Sequence, residues 1–219
     1  MINSDKLSKK ITCPQDRKRK YPLRNILNAV LYLLKTGCQW RMIPKNFAPW
    51  QSEYYYFCKW KNEDIMEELL DKLRSLVRII CSRNESPGMG IINSRSVKTS
   101  HHADAVRGLD GNKKIKGRKQ HVVVYTQGYL MAVSVHEANI HDSKGAPKVI
   151  EKLSCKFPRL TKILADGGYR GNLANWVLDK YGWELEVVLR PNECPSKFKV
   201  IPKRWIVERT LAWLKILED

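Results

Sequence analysis

Residues 161–189 read TKILADGGYRGNLANWVLDKYGWELEVVL. Thr161–Ala165 is a short apolar run that stops at Asp166 and the pair Gly167-Gly168, the pattern of a buried strand closed by a turn. Asn172–Tyr181 follows as a helix with Gly182 beyond its end, and Trp183–Leu189 as a second strand. In open sheets ligands gather at the carboxyl ends of strands, which is where Asp166 falls. An aspartate before two glycines is equally the ordinary chemistry of a turn, so the local pattern leaves both readings open.

Upstream of this unit, His121–Tyr125 and Tyr129–His136 flank Thr126-Gln127-Gly128 as a hairpin, and Asp142 is placed to cap a helix running through Leu153. Ile91 and Ile92 begin a short strand, followed by a loop rich in Lys, Arg and Gly from Ser100 to Lys119. Downstream lie a loop with Pro191 and Pro195 and a helix from about Pro202 to the end. Strands alternating with helices after an opening hairpin indicate a mixed sheet covered by helices.

Before residue 86 the pattern is different. Leu23, Ile26, Leu27, Val30, Leu31 and Leu34 lie on one helical face, with Gly37 as terminator. Ser52 is placed to cap a helix bearing Tyr54, Phe57 and Trp60; Ile65, Leu69, Leu73, Leu76, Val77 and Ile80 line one side of another. Arg83–Gly90 (RNESPGMG) is a break. The expected organisation is a basic arm (1–20), a helical domain (21–85) and an α/β domain (86–219).

The 219 residues are 43% hydrophobic and 28% charged, enough for a real core, and they carry a formal charge of +18 from 40 Lys and Arg against 22 Asp and Glu. Such an excess attracts polyanions, with DNA or RNA the obvious partner; a ribosome-associated protein or a merely basic enzyme shares this composition. Arg17–Lys20 forms one basic cluster, residues 95–121 hold eight Lys or Arg against two acids, and residues 190–215 hold seven against two. Cysteines at 13, 38, 58, 81, 155 and 194 contain no Cys-x-x-Cys pair, which argues against a zinc finger and for reduced, buried thiols in the cytoplasm. Neither a signal peptide nor a membrane span is expected, because the most apolar stretch, Ile26–Leu34, is too short. His101, His102, His136 and His141 are expected to be structural histidines or phosphate contacts. In the last helix Arg204, Glu208 and Lys215 share a face, which periodicity alone reads as a solvated ion pair.

Several segments together carry a resemblance. Ile91-Ile92-Asn93-Ser94-Arg95-Ser96-Val97-Lys98-Thr99 resembles the first catalytic motif of insertion-sequence DDE transposases, normally an apolar pair and then Asp-Ser-x-Ser-Val-Lys. Lys116-Gly117-Arg118-Lys119-Gln120-His121 resembles the basic lead-in to their hairpin, and Ala165-Asp166-Gly167-Gly168-Tyr169-Arg170-Gly171 their second motif. Residues Arg204–Leu214 resemble the third, and Thr36–Pro44 matches the helical domain. The similarity spans about residues 21–214 and is nearest the insertion-sequence-five group, related to the insertion-sequence-four group.

The resemblance implies a ribonuclease-H-like domain in which three carboxylates hold two divalent ions, Mg2+ or Mn2+, for phosphoryl transfer. Position by position, Asn93 stands where the first Asp belongs, Asp166 is the second carboxylate and Glu208 the third. A neutral amide cannot bridge two ions with comparable charge compensation, so weak metal binding and impaired cleavage are expected. Arg204 and Lys215 match the family's Arg-x3-Glu-x6-Lys signature, with Ile201 in place of its usual Tyr. Lys98, Arg118, Lys119, Arg170 and Arg209 are the other expected DNA contacts, and His121 is expected to pack beside the site without binding metal. Tyr125 stands where relatives often have Asp, and relatives continue past the point where this chain stops, which reads as truncation. The implied partners are double-stranded DNA, as terminal inverted repeats and target, and a second copy of the chain in a homodimer on that DNA. The implied setting is the bacterial cytoplasm, at the nucleoid when bound. A catalytically silent DNA-binding protein that represses transposition, or a ribonuclease-H-like nuclease without strand transfer, are the alternatives.

Overall fold

A computed structural model describes residues 20–99, 106–188 and 203–216. The expected basic arm, His101 and His102, and the loop with Pro191 and Pro195 lie outside the described residues. The chain divides into two compact units, residues 1–77 with 214–219 and residues 78–213.

In the first unit, α1 (Leu23–Thr36) ends as the sequence requires: Gly37 adopts φ 63° and its N–H bonds the Leu33 carbonyl at 2.9 Å. Helix α2 (Trp50–Asn62) starts after Pro49, so Ser52 sits inside the first turn and is not the cap. Pro49 holds the N-cap position, where its missing N–H costs no helical bond, so the helix begins two residues before Ser52. Helix α3 spans Ile65–Ile80, as read. Ile26, Val30, Trp60 and Ile65 form this unit's core, whereas Leu31, Leu34, Leu73 and Ile80 of the anticipated apolar faces are exposed.

The second unit is built on one mixed sheet: β1 (Met89–Lys98), β2 (Gly108–Asp110), β3 (Ile115–Tyr125), β4 (Leu130–Glu137), β5 (Lys162–Ala165) and β6 (Glu184–Val187). Its order is β4-β3-β1-β5-β6, with β3 antiparallel to both β1 and β4, and β5 parallel to both β1 and β6. Short β2 shares the outer edge of β3 with β4. Three antiparallel strands followed by two parallel ones beside the first strand is the ribonuclease-H-like arrangement, and the expected fold class holds. Two expectations change. The short strand at Ile91 continues to Lys98, and the expected loop to Lys119 contains β2 and the first half of β3.

Helices α4 (Asp142–Ser154) and α5 (Leu173–Tyr181) cover one face. Ile92, Val123 and Tyr125 of the sheet meet Ala146, Val149, Ile150 and Leu153 of α4 and Leu173 and Val177 of α5 in a single core. The cap of α4 is His141, whose Nδ1 accepts from the Ser143 N–H, and not Asp142. The last helix, α6 (Arg204–Ile216), buries Ile206, Val207 and Thr210. It grips the hairpin tip: Arg209 Nη2 donates to the Gln127 carbonyl at 2.9 Å and Thr210 Oγ1 to that of Gly128 at 2.6 Å. Cys38, Cys58, Cys81 and Cys155 are free thiols, but Cys81 and Cys155 are exposed instead of buried. Among the described residues no helix is long and apolar enough to cross a membrane.

Candidate active site

Strand pairing runs to within two residues of the first two candidates. β1 and β5 run parallel with Ile91 opposite Leu164. Carrying that register two residues on brings Asn93 level with Asp166, whose backbone is still extended at φ −90° and ψ 179°. Neighbouring strands lie about 4.8 Å apart, and residues an even number apart share a face. Asn93 therefore faces the same side as Ile91 and Arg95, and Asp166 the same side as Leu164. Asn93 is buried, and its Oδ1 accepts from the Ser94 N–H at 2.8 Å. Asp166 is half-buried and its Oδ1 accepts from the Gly168 N–H at 2.9 Å, which closes the 3-10 turn Gly167–Tyr169.

Glu208 is exposed on α6, next to fully buried Val207. Its helix reaches the Asn93 face of the sheet through Arg95, whose Nη1 donates to the Leu211 carbonyl at 3.3 Å while its Nε donates to Gln120 at 2.8 Å.

The basic candidates divide by environment. Lys98 and Arg170 are exposed, and the Arg170 guanidinium lies over Gly167, within the Asp166 turn. Arg118 is half-buried. Arg209 is clasped by exposed Trp205 and Trp213, at 4.8 and 4.7 Å from the ring centroids. Lys119 is committed to the interior: its ammonium lies 2.9 Å from Asp142 and 3.6 Å from Asp110 and donates to the Ile140 carbonyl. A cation held this way neutralises buried acids and does not present itself to a phosphate. The side chains of Arg204 and Lys215 lie outside the described set.

The donors do not make a complete two-ion site. Asp166 and Glu208 supply carboxylates, but Asn93 supplies a neutral oxygen already engaged by Ser94. Among the described residues no three His, Cys, Asp or Glu side chains are arranged to hold an ion.

Behind the Asn93 face, on the α4 side, lies a polar layer the sequence did not signal: Ser94, Ser96, Asp110, Lys119, His121, His136, Asp142 and Tyr169. Burial works against Asp110 ionising. Hydrogen bonds from Ser96 and from the Lys113 and Asn112 amides, with the Lys119 charge, outweigh it and bring the carboxyl down to about 2. Alternating polar residues along β1 and β3 were the only available trace of this layer.

His121 is fully buried, and burial, then His136, lowers its pKa from 6.5 to about 4; Lys119 and Lys113 add to this, and Asp142 opposes it. The unfolded chain takes up this proton first as pH falls. The neutral ring's stabilisation is thus complete above pH 6.5 and is lost between 6.5 and about 4. The loss amounts to at most about 3 kcal/mol. Denaturant midpoints measured from pH 7 to pH 4.5 should fall accordingly, and His121→Asn should flatten the slope; an unchanged slope would rule out His121 as its source.

Residues 85–217 match a family model described as "Transposase DDE domain", and residues 5–70 one described as "Putative transposase of IS4/5 family". Among solved structures, the chain is similar to the Mos1 transposase paired-end complex with left transposon end, at 11% identity and a TM-score of 0.31. That match covers 78% of this chain and 61% of the other, so this chain spans about three fifths of its length. Comparison with curated protein sequences gives no match.

Proposed function

Because the chain belongs to the DDE transposase domain family, we propose that it acts on the terminal inverted repeats of an insertion sequence, binding those ends as duplex DNA while its strand-cleaving capacity is impaired. The observation that supports this reading is the register of β1 against β5, whose last pair, Ile91 opposite Leu164, lies two residues before both Asn93 and Asp166. DDE transposases generally work with a divalent metal; for this chain Mg2+ or Mn2+ is the proposed ion, held by Asp166 and Glu208 with Asn93 as the weak member. Hard oxygen donors suit these ions.

In this reading the chain's own groups bind and orient. Arg204, Lys215, Lys98, Arg118, Arg170 and Arg209 hold backbone phosphates, and the +18 charge supplies the long-range attraction. Two copies bring two ends together, in the bacterial cytoplasm. A second reading, a silent DNA-binding protein that occupies element ends and represses intact copies, follows from the same amide at position 93.

Binding tests the proposal apart from cleavage. Gel shifts with duplexes carrying the inverted repeats should show preference over unrelated sequence. Six to ten phosphate contacts would weaken binding about 10³- to 10⁵-fold between 50 and 200 mM salt. Equal affinity for unrelated duplex would remove end recognition and favour a nuclease without strand transfer.

A further inference from the structure

The turn that carries Asp166 contains two glycines, which offer no side chain to fix it; the first residue able to anchor it is Tyr169. Its ring is fully buried, and its hydroxyl lies 2.9 Å from His121 Nδ1. The Ser94 side chain, from the residue after Asn93, also approaches the phenol. Ser94 and His121 face each other across the β1–β3 pair. One phenol therefore ties the Asp166 turn to the strand bearing Asn93 and to the strand beside it.

The direction of the Tyr169–His121 bond follows from the neighbouring ring of His136. His136 Nδ1 lies 2.7 Å from the Glu137 carbonyl, which can only accept, so the proton of the neutral ring sits there and its Nε2 is a lone pair. A second lone pair facing that one would repel it, so His121 carries its proton on Nε2 and its Nδ1 accepts from the Tyr169 hydroxyl. The two Nε2 atoms converge where Gly145 lacks a Cβ, at 2.6 and 2.2 Å from that point, without a hydrogen bond to any side chain. Burial and the nearby charges of Asp142 and Asp166 hold the phenol protonated, which keeps it able to donate.

We propose that Tyr169 is a positioning residue for Asp166, its hydroxyl clamped between Ser94 of β1 and His121 of β3 so that the Asp166–Tyr169 turn is locked against the strand carrying Asn93. The clamp's importance for metal binding rests on the reading of positions 93, 166 and 208 given above. Partners behind a ligand typically change metal affinity about 10- to 100-fold when removed.

Tyr169→Phe keeps the ring and deletes the hydroxyl. Amide hydrogen exchange at Gly168, whose N–H is bonded to Asp166 Oδ1, should speed by about tenfold or more, while the Val123 and Ile163 amides keep their rates. His121→Leu should reproduce the effect, and His121→Asn, which places an acceptor near the Nδ1 position, should restore slow exchange. Unchanged exchange at Gly168, or equal acceleration at Val123 and Ile163, overturns the clamp. In an Asn93→Asp background, electron paramagnetic resonance titration with Mn2+ should show at least about tenfold weaker binding once Tyr169→Phe is added. Equal Mn2+ affinity with and without the hydroxyl overturns the positioning role. If Asn93→Asp binds no Mn2+ yet Gly168 exchange responds as stated, the clamp stands and the three-position site is what falls.

Discussion

Asn93→Asp yields a chain that cleaves supercoiled plasmid bearing the element ends in Mg2+ or Mn2+ at a rate on the order of 10²–10³ above the unaltered chain, the scale on which single electrostatic groups act in enzymes. The substitution changes one atom and one charge at a buried position two residues beyond the last β1–β5 pair. An amide oxygen offers a dipole, whereas a carboxylate offers a full negative charge to a dication in a partly water-excluded site, where charge counts for more than in bulk water. Stability should respond to the charge even without turnover. Two carboxylates on adjacent strands repel when no cation is present, so the variant should melt below the parent in chelator and gain stability as Mn2+ is added. Cleavage by the unaltered chain at the variant's rate would remove Asn93 as the lesion. A melting temperature indifferent to Mn2+ in the variant would show that positions 93 and 166 share no ion.

Gly117→Ala should be the most damaging single methyl in the sheet. A Cβ at this position would stand 2.0 Å from the Val97 carbonyl oxygen, 3.0 Å from its carbon and 3.1 Å from Lys98 Cα. All three are backbone atoms, so no rotamer change relieves the clash and the strands themselves must separate. Gly117 pairs with Lys98 on one side and with Gly108 on the other, and its carbonyl accepts from the Ala138 N–H. Separation there would loosen β1, β2 and the end of β4 together. The expected loss is on the order of 4 kcal/mol, a large part of an ordinary domain's stability. Gly111→Ala, which meets nothing within 4 Å, is the control and should change little. Chemical denaturation of both variants settles the matter; a Gly117→Ala midpoint equal to that of Gly111→Ala would mean the strands yield without cost.

Much of this fold was legible where burial and local chemistry agree. The β3–β4 turn, the strand–helix–strand unit after Thr161 and the helix ends at Gly37 and Gly182 all carry apolar alternation or a left-handed glycine. The start of β3 and all of β2 escaped because their inward positions include Gly117, Lys119 and Asp110. A buried ammonium between two carboxylates looks, in sequence, like a solvated basic loop. β1 was read too short for the same reason: beyond Ile92 its alternating residues are Asn93, Ser94, Arg95 and Ser96, stabilised by cross-strand hydrogen bonds instead of apolar contact. Proline displaced Ser52 as a cap, and His141 displaced Asp142, which Lys119 had already claimed. The pairing of Ile91 with Leu164 could not come from periodicity, because register between distant strands leaves no local mark; positions 93 and 166 came from the motif resemblance alone. Tyr169 was visible only as part of a motif, since nothing in the sequence connects it to Ser94 or His121.

The order of strands has a further consequence for how the molecule is made. β1, β3 and β4 are consecutive in the chain apart from short β2, and they can zip together as soon as they leave the ribosome. The opposite rim of β1, however, waits for β5, which is synthesised only after α4. Until then the nascent protein carries an uncovered strand margin flanked by Ile91 and Ile92, a ready template for pairing with a neighbouring chain. Ribosomal stalling or premature stop codons between α4 and β5 would therefore release adhesive fragments that co-aggregate, instead of inert debris.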